Sequence, residues 1–66
     1  MQIILNGKNQ VFPDNITISQ ILTTLNIQER VVAIALNSNV VKKESWEKIT
    51  IKEHDCLELL QFTSGG

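Results

Sequence analysis

One stretch of this chain carries a helical signature, and the segments around it read as short strands. Thr17 followed three residues later by Gln20 has the spacing of a capping box, in which each side chain satisfies a backbone N–H left free at a helix start. Ile16 and Ile21 stand at the positions of a hydrophobic staple across that cap. Ile18, Ile21, Leu22 and Leu25 then recur at i, i+3, i+4 and i+7 and form one apolar stripe. Asn26 is a left-handed stop. The helix therefore has one face to pack and one face to leave in water.

The flanking segments supply the surface it packs on. Gln2 to Leu5 reads as a strand with Ile3 and Leu5 on one face, and Asn6-Gly7 is a hairpin signal because both residues tolerate the positive φ of a tight turn. The returning strand is Gln10 to Phe12, stopped by the turn formers Pro13-Asp14-Asn15. Beyond the helix, Val31 to Leu36 is an aliphatic run too short for a good helix. In it Val32, Ile34 and Leu36 alternate with the smaller Ala33 and Ala35. Asn37-Ser38-Asn39 turns the chain into a short strand at Val40-Val41. A polar connector with Trp46 follows, in which Ile49 and Ile51 are the inward anchors. The last strand runs from Cys56 to about Phe62. A helix joining the first hairpin to the later strands crosses one sheet face in a right-handed sense. The first and last strands then pair in parallel at the centre. This is an α+β β-grasp arrangement: a mixed sheet of four to five strands with one main helix on one face. Residues 1–62 form the domain and residues 63–66 a flexible tail.

Size and charge narrow the function. A chain of 66 residues makes one domain at most and buries only about 60% of its unfolded surface. That leaves no room for a cofactor domain beside a substrate domain, so a self-contained enzyme is not expected. Six basic and seven acidic side chains give a net charge of −1. Lys42, Lys43, Lys48 and Lys52 are interleaved with Glu44, Glu47 and Glu53, which makes a solvated face rather than a nucleic-acid site. The single cysteine, Cys56, allows no internal disulfide and no cysteine-based metal cluster. No signal-like or membrane-length apolar run occurs, so a reduced, cytoplasmic setting is expected.

The chemistry is expected at the end of the chain. At ordinary glycine usage, two terminal glycines occur by chance in roughly 0.5% of chains. Without Cβ atoms, Gly65 and Gly66 can thread an extended backbone, after Ser64, into a narrow active site and leave the terminal carboxylate open to attack. That carboxylate is a poor electrophile until ATP converts it to an acyl-adenylate, from which a sulfur nucleophile can displace AMP to give a thiocarboxylate. His54, Asp55 and Cys56 do not make a catalytic set, because consecutive residues on an extended backbone point to alternating sides. Asp55 is expected to close the turn before the last strand, Cys56 to act as a partly buried small hydrophobe, and Trp46 to anchor the core edge. If Leu57 and Leu59 face the helix, Leu60 and Phe62 lie on the open side of the sheet beside Ala33 and Ala35, a small apolar docking patch next to the tail.

These residues together resemble the ThiS sulfur carrier proteins of thiamin biosynthesis. The resemblance covers essentially the whole chain: Ile3-Ile4-Leu5-Asn6-Gly7, the Thr17-capped helix with Leu22 and Leu25, Val32 to Asn37, Val40-Val41, Trp46, Asp55 and Gly65-Gly66. It implies a ubiquitin-like β-grasp fold and a protein cosubstrate with no bound cofactor. An E1-like adenylating enzyme of the ThiF type would consume ATP to adenylate the carboxylate of Gly66. Sulfur drawn from cysteine through a desulfurase would give the thiocarboxylate. A thiazole synthase of the ThiG type would take that sulfur into the thiazole ring, with 1-deoxy-D-xylulose 5-phosphate and a dehydroglycine unit. Two turns depart from the family pattern: Asn37-Ser38 stands where Asn-Gly is frequent, and His54-Asp55 where Gly-Asp is frequent. The same fold and tail also fit a sulfur carrier for molybdopterin synthesis, a ubiquitin-like modifier of target lysines, or an interaction module with incidental glycines.

Overall fold

A computed structural model describes residues 1–61. Phe62, Thr63, Ser64, Gly65 and Gly66 lie outside the described residues, and with them the expected end of the last strand, one expected member of the apolar patch and the tail expected to be reactive. The described elements are β1 (Gln2–Leu5), β2 (Lys8–Val11), α1 (Ile18–Leu25), β3 (Val31–Leu36), β4 (Asn39–Val41) and β5 (Cys56–Gln61), with one 3₁₀ turn at Lys43–Ser45. The sheet has five strands in the order β2-β1-β5-β3-β4. β1 and β5 run parallel at its centre, and the other pairs are antiparallel. This is the mixed β-grasp sheet expected from the sequence.

Local chemistry explains the helix ends. Gln20 N donates to Thr17 Oγ1 at 3.1 Å and Thr17 N donates to Gln20 Oε1 at 2.9 Å, which completes the capping box. Asn26 takes the left-handed conformation at φ 58°, and Ile27 N reaches back to Leu22 O at 3.0 Å to close the last turn. Ile18, Ile21 and Leu22 are fully buried, whereas Leu25, the last helical residue, is 36% exposed and forms the uncovered end of the stripe. The helix packs into one apolar cluster with Ile3 and Leu5 of β1, Val31 and Ile34 of β3, and Leu57 and Leu59 of β5. Trp46 is buried in that cluster, and its indole N–H donates to Val41 O at 3.1 Å, so it anchors the core edge as expected. Ile51 is buried and Ile49 packs partly against the core.

Three strands differ from expectation, β4 only in that Asn39, expected in the turn, is its first residue, paired with Leu36. The returning strand is Lys8–Val11 rather than Gln10–Phe12, because Asn6 at φ 49° and Gly7 at φ 82° make a two-residue turn that sets Lys8 opposite Leu5. Phe12 falls just past the strand and is buried. In β3, Val32 does not share a face with Ile34 and Leu36. A bulge between Val31 and Ala33 breaks the alternation, so Val31 and Ile34 are both buried while Val32 is 57% exposed.

The β3–β4 turn repeats the two-residue geometry with Asn37 at φ 50° and Ser38 at φ 73°. Left-handed backbone costs serine roughly 1–2 kcal/mol, and glycine would return only part of that because of its larger unfolded-state entropy. Ser38→Gly is therefore expected to stabilise the domain by about 0.5–1 kcal/mol, measured as a raised urea midpoint with an unchanged slope.

Candidate functional site

The C-terminal strand positions the site. β5 lies between β1 and β3, and its side chains alternate between the two faces of the sheet. Leu57 and Leu59 point into the core, at 0% and 9% exposure. Glu58 and Leu60 point to the face that the helix leaves open, where Leu60 is 62% exposed. Cross-strand partners share a face, and the register sets Ala33 opposite Leu60 and Ala35 opposite Glu58. Leu60, Ala33 and Ala35, three of the four residues expected to form the patch, are thus brought together; the fourth, Phe62, lies outside the described residues.

The same register adds a residue that the sequence alone did not reveal. Val40 of β4 pairs with Ala35 and is 80% exposed, extending the apolar surface toward the sheet edge. Alternation in β4 was the available signal, but a strand of three residues gives too few positions to fix it. Ala33, Ala35, Val40 and Leu60 line a shallow groove of about 240 Å³ together with Asn6 and Glu58. A larger depression of about 540 Å³ runs along the helix start, lined by Asn15, Gln20 and Thr23. None of its lining residues belongs to β5.

The base of β5 is held by a polar network. Asp55 Oδ2 accepts from Lys52 N at 2.8 Å and closes the turn, as the sequence suggested. Asp55 Oδ1 accepts from Asn37 Nδ2 at 3.0 Å, while Asn37 Oδ1 accepts from Cys56 N at 2.9 Å. This ties the β3–β4 turn to the start of β5. His54 takes a left-handed φ of 67° with an exposed side chain, which faces Glu53 rather than Asp55 or Cys56. The three consecutive residues do not converge, and Asp55 is occupied in structural hydrogen bonds. Cys56 is a half-buried free thiol. Further along, Asn6 Oδ1 accepts from Leu59 N at 2.7 Å. Among the described residues, no group of three His, Cys, Asp or Glu side chains is placed to hold a metal, and no helix is long and apolar enough to cross a membrane.

Among the described residues, a capped helix on one face and parallel first and last strands at the centre define a ubiquitin-like β-grasp domain, with Leu60 of β5 exposed on the other face. Comparison with known proteins makes the class specific. The ThiS family model matches residues 2–66, and the chain belongs to that family. It is 27% identical over 63 residues to the sulfur carrier protein ThiS of Bacillus subtilis, covering 94% of this chain and 96% of that protein. It is 30% identical over 66 residues to a thiazole synthase of Paramagnetospirillum magneticum, covering all of this chain but spanning only 20% of the length of that relative. The crystal structure of a thiamine biosynthesis protein (ThiS) from Geobacter metallireducens superposes with a TM-score of 0.83 at 28% identity, each chain covered completely.

Proposed function

We propose that this protein carries sulfur as a thiocarboxylate on Gly66 and donates it to thiazole formation. As a member of the ThiS family it is a sulfur carrier protein of thiamin biosynthesis, a cosubstrate rather than a catalyst. The observation that carries the finer reading is that the family match extends through Gly65 and Gly66. The partner adenylating enzyme, of the E1-like ThiF type, attaches AMP from ATP to the Gly66 carboxylate and releases pyrophosphate. A sulfur nucleophile supplied through a cysteine desulfurase then attacks the acyl carbon. AMP departs with one carboxylate oxygen. Because a desulfurase delivers sulfur as a persulfide, a thiol then cleaves the S–S bond of the acyl disulfide to leave the thiocarboxylate and a disulfide. Ser64 and Gly65 thread the partner active sites, where a side chain at position 65 would widen the passage needed. Similarity to a chain called thiazole synthase favours thiazole as the destination and an enzyme of that kind as the acceptor. The cycle runs in the cytoplasm.

Incubation with the adenylating enzyme, ATP and a sulfur donor tests this by intact mass. The expected product has one oxygen replaced by sulfur; an unchanged mass under conditions where the enzyme consumes ATP with another carrier sinks the reading.

The patch of Leu60, Phe62, Ala33 and Ala35 docks these partners. Leu60→Glu is expected to weaken binding to the adenylating enzyme by about 10- to 100-fold, because the charge must be desolvated at an apolar contact. Stability should change by no more than about 0.5 kcal/mol, since the side chain faces solvent. Calorimetric titration with the variant and the parent measures the difference, and equal affinities remove the patch from the docking surface.

A further inference from the structure

The β1–β5 ladder stops early. Its last register pair is Leu5 with Leu57, yet β5 runs on to Gln61. On this flank, Leu57 and Leu59 turn their backbone groups toward β1. Asn6 N donates to Leu57 O at 2.9 Å, after which the chain turns away at Gly7. The N–H of Leu59 would then have no strand beside it. Asn6 supplies the missing acceptor from its side chain, with Oδ1 at 2.7 Å from Leu59 N. One residue therefore makes the turn and also extends the ladder by one rung past the end of β1. On the opposite flank the last rung, Val31 with Gln61, lies beyond the β3 bulge. The heading of β5 at its end is set by that interrupted ladder on one side and by Asn6 on the other.

We propose that Asn6 is a positioning residue for sulfur loading. By fixing the backbone at Leu59 it holds Leu60, on the docking face, and the point where the chain leaves Gln61 in one relation, so a single docked pose presents the terminus to the partner. This inference rests on the function proposed above. An asparagine side chain is not needed for the turn itself, because glycine adopts the φ of 49° without strain. The bond to Leu59 is thus separable from the hairpin.

Two variants divide these roles. Asn6→Gly keeps the turn and loses the acceptor; Asn6→Asp keeps both, since aspartate tolerates left-handed backbone and presents the same oxygen. Initial rates of pyrophosphate release are measured with the adenylating enzyme and ATP over a range of carrier concentrations, and amide exchange at Leu59 is followed in the carrier alone. For Asn6→Gly, Leu59 exchange is expected to quicken by about tenfold. KM is expected to rise about fivefold with kcat within about twofold, the factor that one net hydrogen bond is worth. Asn6→Asp restores slow Leu59 exchange in the carrier alone. A parental KM in Asn6→Gly despite faster Leu59 exchange overturns the positioning role, and fast Leu59 exchange in Asn6→Asp overturns the assignment of the bond to the side-chain oxygen. A parent chain that the enzyme does not adenylate overturns the proposed function instead. Unchanged Leu59 exchange in the isolated Asn6→Gly carrier overturns the clamp whatever the enzyme does.

Discussion

Deleting Gly66 is expected to abolish sulfur loading while leaving the fold and its cooperative unfolding intact. The two halves of this expectation have different origins. Gly66 has no side chain, so its removal takes no apolar group from the buried cluster that Ile3 to Leu59 build among the described residues. The chemical half is a matter of reach. Removing one residue still leaves a glycine carboxylate at the end, because Gly65 becomes terminal. That carboxylate is retracted by up to about 3.5 Å. Adenylation needs the attacking oxygen in near-contact with the α-phosphorus of ATP, and a misplacement of about 1 Å already costs on the order of 100-fold. A retraction several times larger takes the rate below detection unless the docked domain shifts to follow. The measurement is intact mass after incubation with the adenylating enzyme, ATP and sulfur donor, alongside a thermal melt of the variant. Loading at the parental rate would mean that the enzyme reads the glycine and not its distance from the docking patch. A broadened, non-cooperative melt would mean that Gly66 takes part in the fold.

What the sequence disclosed depended on how local the governing chemistry was. The helix start was legible because Thr17 and Gln20 satisfy each other across three residues, and its end because Asn26 favours the left-handed conformation by itself. The Asn6-Gly7 hairpin was legible for the same reason, although the strand it starts at Lys8 was expected two residues late. The bulge between Val31 and Ala33 was not legible: Val31 to Leu36 alternates well enough by itself, and only pairing with β5 shows that Val32 is the extra residue. The candidate site divides in the same way. Ala33, Ala35 and Leu60 follow from alternation along two strands once the central position of β5 is inferred. Val40 needed the register of a third. Asn6 was read for its backbone alone, because its side-chain partner is 53 residues away in sequence. A residue that serves a turn and a distant strand shows only the first role in a string of letters.

Leu57→Ala is the second large effect, and it separates the two faces of β5. Leu57 is 0% exposed, next to Leu5 on one side and Leu36 on the other. Truncation there removes buried methyl groups and leaves a cavity in a close-packed interior, at a cost of about 3–4 kcal/mol. A domain of 66 residues has roughly 3–10 kcal/mol in total at ordinary stability per residue. The loss is therefore a large fraction of the whole. The melting temperature is expected to fall by roughly 15–25 °C, read from far-UV circular dichroism. Leu60→Ala, three residues along the same strand but on the open face at 62% exposure, is expected to change stability by no more than about 0.5 kcal/mol. The pair predicts opposite behaviour in sulfur loading. Leu57→Ala should lose loading only as its folded fraction falls, and combination with Ser38→Gly should recover part of it, since the two sites act through the same unfolding equilibrium. Leu60→Ala should remain folded and lose partner affinity, which Ser38→Gly cannot restore. Recovery of both variants by Ser38→Gly would place the whole effect in stability and leave β5 without a docking face.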